Sequence, residues 1–133
     1  MIEAYSKNID VAANANIPLN NVKLIKGNYV TLQGVSSLQF NHCGVYHLTC
    51  NGSISGTGDL QIQLMKNGVI QQETVTPITG TANVNIPFAL DTFVQVPNNN
   101  TNCCCQSPVE VSLMNAGVEA TFPLIDVKVT KVC

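Results

Sequence analysis

His42, Cys43, His47 and Cys50 lie close together in the chain, and they are the residue types that hold zinc or make a thiol nucleophile. The pattern around them argues against both uses. Tyr46, Leu48, Cys50, Gly52 and Ile54 alternate with His47, Thr49, Asn51, Ser53 and Ser55, which is the period-2 signature of a strand with one buried and one wet face. His47 and Cys50 therefore fall on opposite faces and do not converge on one ion. Cys43 and Cys50 are about 23 Å apart at roughly 3.3 Å per residue, beyond the ~7 Å Cα separation that a disulfide spans. Cys50 reads as a core thiol. A nucleophile pair of Cys43 with His42 or His47 would need an oxyanion loop, a paired acid or an orienting carboxylate, and none stands beside it in sequence. Asp10, Asp59, Glu73, Asp91, Glu110, Glu119 and Asp126 are scattered singly and read as solvated strand-edge or turn charges. The glycines of Gly52-Ser53-Ile54-Ser55-Gly56-Thr57-Gly58 lack the lysine and following helix of a phosphate loop. The expectation is a non-enzyme, with no catalytic residue and no cofactor.

A second group of thiols is harder to place. Cys103, Cys104 and Cys105 follow an asparagine-rich run in Pro97-Asn98-Asn99-Asn100-Thr101-Asn102, and Pro108 closes the segment. This reads as an insertion loop on a sheet rim. Asn98, Asn99, Asn100 and Asn102 offer amide donors and acceptors without charge, which suits hydrogen bonding to a glycan or a partner surface. Three readings of the thiols stand side by side: exposed free cysteines, a disulfide between subunits or to Cys133, and a thiolate cluster for a soft metal.

Composition narrows the class. The 133 residues are 45% hydrophobic but only 11% charged, against a usual ~25%, so Asn, Gln, Ser and Thr must cover the surface. One domain of this size buries roughly 65–70% of the surface its unfolded chain exposes. There is no arginine, only six lysines, and the net charge is −2, which leaves no basic patch for a phosphate backbone; no nucleic-acid partner is expected. The N-terminus has neither a cationic region nor an apolar run, and no window approaches the ~18 apolar residues of a membrane span. The reading is a soluble chain without a cleavable signal and without a membrane partner.

The elements that would carry these residues are all strands. Residues 1–8 read as a polar lead, and residues 9–133 as one domain. Ile9, Val11, Ala13, Ala15, Ile17 and Leu19 alternate as a first strand; short strands follow at Val22 to Ile25, Tyr29 to Leu32 and Ser37 to Phe40. Gly44 to Ser55 and Leu60 to Met65 make the central pair, with Asn67-Gly68 as a hairpin turn. Val69 to Val75 is too polar for anything but an edge, and Pro77, Gly80 and Asn83 surround a loop. Val84, Ile86 and Phe88 resume alternation, Thr92 to Val96 continues it, and Val109, Val111 and Leu113 form a later strand. The last strand, Ala120 to Val132, shifts phase between Leu124 and Ile125, which predicts a bulge and a place in mid-sheet. No helical period occurs. The expected class is an all-β, antiparallel, single-domain sandwich or barrel, and the apolar faces at Val84/Ile86/Phe88, Val109/Val111/Leu113 and Ile125/Val127/Val129 exceed what two small sheets need, so some are expected at a subunit axis.

Gly44-Val45-Tyr46-His47-Leu48 resembles the Gly-x-Tyr-x-hydrophobic opening of a central strand in the tumour necrosis factor and complement globular-head superfamily, and Leu64-Met65-Lys66-Asn67-Gly68 resembles the hairpin after it. The resemblance implies a jelly-roll β-sandwich of about ten strands, a homotrimer, and a role as ligand, adhesin, spore-surface glycoprotein domain or phage virion part. The expected function is a structural or receptor-binding component of a phage or prophage virion, with the chain itself, other virion proteins or a cell-surface glycan as partners. A bacterial surface-displayed or secreted adhesin or carbohydrate-binding module of the same fold is the alternative. The expected location is accordingly a virion or a bacterial cell surface.

Overall fold

The computed structural model describes residues 1–27, 29–71, 76–97 and 104–132, with Thr76 and residues 104–108 as backbone only. Twelve strand segments and no helix occur among them: β1 (Ile2–Val11), β2 (Ala15–Asn16), β3 (Asn21–Ile25), β4 (Val30–Gln33), β5 (Ser37–His42), β6 (Gly44–Ser55), β7 (Gly58–Lys66), β8 (Val69–Ile70), β9 (Thr76–Gly80), β10 (Ile86–Val96), β11 (Cys104–Asn115) and β12 (Ala120–Lys131). They form two antiparallel sheets. The first runs β10-β6-β12-β1-β3; the second runs β4-β5-β11-β7-β8, with β2 beside β11 and β9 beside β7.

Alternation dictates the core. Leu48, Cys50 and Ile54 of β6, with Ile125, Val127 and Val129 of β12, face Phe40, Leu60, Ile62, Leu64 and Val111 of the second sheet, and all are buried. Tyr46 is sealed among them, its ring edge-on to Phe40 at 4.7 Å, and its hydroxyl donates to the carbonyl of His42 at 2.7 Å. Phe88, Val109, Val111 and Leu113 are buried in the same core, so the apolar faces expected at a subunit axis are consumed within the protomer. Val84 lies outside β10 and is exposed.

Several boundaries differ from the sequence expectation. Residues 1–8 are not a separate lead: β1 begins at Ile2 and pairs along its length with β12 and, over its first half, with β3. Ile2, Ala4 and Ser6 point inward and were hidden by the small and polar types at two of those positions. The expected strand from Ile9 to Leu19 is broken by Asn14, whose φ is +62°. β1 ends at Val11 and only the two-residue β2 follows, while Ile17 and Leu19 still reach the core. Pro77 and Gly80 belong to β9, not to a loop, with Pro77 opposite Gln61 on an outermost strand where its missing amide proton costs no ladder bond. The segment read as a loop from Pro97 to Pro108 becomes strand at Cys104, which lies opposite His42.

The phase shift expected near Leu124 is present, and two strands share it. Along β12 the register against β6 slips between Thr121 and Leu124, and the buried residues change from Ala120 and Phe122 to Ile125, Val127 and Val129. On β1 the buried set changes likewise from Ile2, Ala4 and Ser6 to Val11, across Asn8 with φ +53°. The register Lys7↔Leu124, Ile9↔Phe122 is unbroken, so the strands kink together. Gly52 makes room for that kink: a Cβ there would lie 2.0 Å from the carbonyl oxygen of Leu124. Gly52→Ala is expected to lower the unfolding free energy by about 2–3 kcal/mol, since backbone rather than a side-chain tip must yield. A denaturant midpoint unmoved by the change would mean that the bulge does not rest on Gly52.

Two buried polar side chains fasten the connections. Ser6 Oγ donates to the Pro18 carbonyl at 2.7 Å and accepts the Asn20 amide at 2.8 Å. Asn115, fully buried at the end of β11, donates through Nδ2 to the carbonyls of Val11 (3.0 Å), Ala12 (3.3 Å) and Val118 (2.9 Å), and its Oδ1 accepts from the amide of Gly117 at 3.2 Å. One side chain thus joins the end of β1, the turn after it and the turn before β12. Sequence alone suggests a turn at Asn115 to Gly117 but not this buried amide.

Candidate functional site

The two outward sheet faces differ in chemistry. On the second sheet, β4, β5 and β7 present amides and hydroxyls that satisfy one another: Gln33 donates to Gln39, Asn41 to Thr31 at 3.2 Å, and Gln63 to Gln61 at 3.5 Å. The pairing is incomplete, since Gln63 Oε1 is buried without a partner, so this is a mostly self-paired amide surface. The first sheet carries more unmatched apolar area. Of the large hydrophobic residues left exposed on strands, Leu24 of β3, Phe93 of β10 and Leu124 of β12 lie on its outward face, while Val22 and Ile25, paired with the buried Ala4 and Ile2, lie on the inward side of the edge strand β3; the other sheet leaves Val69 and Ile70 of β8 exposed. Phe93 is 65% exposed in mid-strand.

Phe93 is part of a small cluster. Its cross-strand partner is His47 of β6, and the two rings lie 5.0 Å apart at 30°. His47 Nε2 bonds Asp91 Oδ1, also on β10. Asp91, read from sequence as an isolated charge, is thus the orienting carboxylate that His47 lacks in the linear chain; the strands bring them together from positions far apart. His47 is on the outer face and Cys50 on the inner, as the alternation requires, so they share no ion. Burial pushes the Cys50 thiol well above its ordinary range, with the charge of Asp126 adding to it. It stays a thiol, weakly nucleophilic and a poor metal ligand.

A second cluster lies nearer the middle of the same face. Tyr5 of β1 pairs with Asp126 of β12, and Glu3 with Lys128, which sets Glu3 diagonally beside Asp126. Lys23 of β3 reaches Glu3 Oε2 at 3.6 Å. Glu3 is largely covered, its side chain 16% exposed, and Asp126 Oδ1 is buried without a hydrogen-bond partner. Burial, then a hydrogen bond to Glu3 and that residue's charge, push the Asp126 carboxyl up to about 6, against the opposing pull of Lys23 and Lys128. Asp126 is therefore not the solvated single charge that its sequence surroundings suggest.

Of the residues singled out in sequence, Asn98, Asn99, Asn100, Asn102, Cys103 and Cys133 lie outside the described residues, and Cys104 and Cys105 are described only as the backbone of β11. Among the described residues no three His, Cys, Asp or Glu side chains gather as a metal site, and no helix is long and apolar enough to cross a membrane.

The strand order sets the N-terminal strand beside the C-terminal one, which in turn lies next to the Gly-x-Tyr strand, within a two-sheet jelly-roll sandwich. Solved structures share it over nearly the whole chain. The globular domain of zebrafish complement 1qA protein superposes with a TM-score of 0.67 at 10% identity, covering 96% of this chain and 94% of that one. The PRD1 vertex protein P5 gives 0.62 at 14%, over 99% and 96%. Rabbit GITRL gives 0.60 at 11%, over 100% and 95%. No protein-family model matches the chain, and no curated protein matches it.

Proposed function

We propose that the chain is a non-enzymatic structural or receptor-binding component of an assembled particle, a phage or prophage virion protein that acts as a homotrimer built through the open face of the first sheet. The observation that carries the assembly is the asymmetry of the two faces. One is a mostly self-paired amide surface, and the other leaves Phe93, Leu24 and Leu124 uncovered. The open face is of interface scale: four strands of ten to twelve residues and the five-residue β3 measure roughly 20 by 33 Å, about 660 Å² in projection beside the ~800 Å² per partner of a standard interface. The number three comes from the resemblance to tumour necrosis factor and complement heads. The particle comes from the likeness to a vertex protein along the full chain at similar length. In this arrangement the Asn/Gln/Thr surface of the second sheet faces outward, free to meet other virion proteins or a cell-surface glycan, and the uncharged amides of Asn98, Asn99, Asn100 and Asn102 are the residues proposed to bind it. Cys103, Cys104, Cys105 and Cys133 are the candidates for disulfide or metal linkage.

Sedimentation equilibrium tests the reading. A mass about three times 14.2 kDa is expected, and a protomer that stays at the single-chain mass at every concentration contradicts it. A trimer with no affinity for particle components or cell-surface glycans would keep the assembly and remove the receptor-binding role.

A further inference from the structure

We infer that the Glu3–Asp126 carboxyl pair makes assembly of this chain proton-dependent, with copies associating more tightly as the pH falls from 8 to 6. The inference rests on the assembly reading above and concerns how the same face is regulated. Its basis is geometric. Asp126 is on the central strand of the open sheet and Glu3 is beside it on β1. One oxygen of Asp126 is already out of water without a partner, and Glu3 is mostly covered. A second copy laid over this face removes solvent from both carboxyls, and a carboxylate pair cannot be desolvated while both members carry charge unless a cation or a proton intervenes.

The cations at hand do not suffice. The groups facing Asp126 are Glu3 and Tyr5 from β1, Lys23 from β3, Lys128 along β12 and the neutral Asn51 from β6. The Cys50 thiol lies behind the sheet. Lys23 is 64% exposed and contacts Glu3, and the net effect of all these groups on Asp126 is still to favour its protonated form. The free protomer therefore already holds this proton below about pH 6, and the covered pair holds it to higher pH. Association then takes up protons only above the free-protomer value. Each proton taken up changes the association constant tenfold per pH unit, and the effect levels off below about pH 6.

The test is a dilution series followed by light scattering at pH 8, 7, 6 and 5, on the wild-type chain and on Asp126→Asn and His47→Gln. Wild-type protein should dissociate at a concentration at least tenfold lower at pH 6 than at pH 8. Asp126→Asn, neutral at every pH, should remove the dependence, with circular dichroism confirming its fold. His47→Gln, which removes the imidazole from the same face, should keep it. A wild-type trimer whose dissociation ignores pH, or one that loosens on acidification, overturns the inference and leaves the assembly standing. An Asp126→Asn protein that retains the wild-type response does the same. A monomer at every pH removes the assembly reading itself.

Discussion

Tyr46→Ala should lower the unfolding free energy by about 3–5 kcal/mol, the range for emptying an aromatic site in a core that cannot collapse around the void. Tyr46 is fully buried on the Gly-x-Tyr strand, edge-on to Phe40, and its hydroxyl ends at the His42 carbonyl, where the chain leaves β5 of one sheet for β6 of the other. The ring fills space between the sheets; the hydroxyl fixes the corner. Tyr46→Phe removes only the second and should cost about 1 kcal/mol, the net worth of a neutral hydrogen bond, or somewhat more because the carbonyl is left unpaired. His47→Ala, one residue on but facing out, should cost less than either. Urea unfolding of the three variants ranks them. If His47→Ala proved the most damaging, the inward and outward phases of β6 would have to be exchanged.

Asn115→Ala should be comparably severe, at about 3–5 kcal/mol, for a different reason. Truncation leaves the carbonyls of Val11 and Val118 and the Gly117 amide without the side chain that pairs them, while the Ala12 carbonyl keeps the Ala15 amide, and each buried polar group left unpaired costs on the order of 1–3 kcal/mol. Those that reach water in the loosened turns recover part of this. Asn115→Asp separates geometry from hydrogen bonding: it keeps the shape and the acceptor but replaces the donating amide by oxygen against three carbonyls. It should therefore be no better than alanine at pH 7 and should recover partly in acid, where a protonated carboxyl donates again. An aspartate variant as stable as the native protein at pH 7 would show that Nδ2 does not hold these turns.

Much of the framework is legible locally. Strict alternation from Gly44 to Ser55 and at Leu60, Ile62 and Leu64 reports a half-buried strand wherever one face meets a core, and these elements lie where the pattern puts them. The kink near Leu124 is legible too, because a bulge must shift the apolar phase. The missed elements are those in which partners supply what the local pattern lacks. At β1, Ala4 and Ser6 are too small or polar to announce an inward face, and it is β12 and Pro18 that seat them. At β9, Pro77 signals a turn, yet an outer strand tolerates it. The site is the least legible part. Glu3 and Asp126 come from opposite ends of the chain, and His47 and Asp91 meet across two strands. No local window contains either pair.

The central claim is that the first sheet's open face, not the second's, joins copies of this chain. The most direct measurement compares the solution mass of the wild-type protein with that of two single variants, Phe93→Asp on the first face and Gln33→Glu on the second. Both positions are exposed, so both chains should fold. Wild type and Gln33→Glu are predicted at about three times 14.2 kDa, and Phe93→Asp, which would place a charge in the desolvated patch, at the mass of one chain. A Phe93→Asp protein that remains trimeric while Gln33→Glu falls apart would contradict the account.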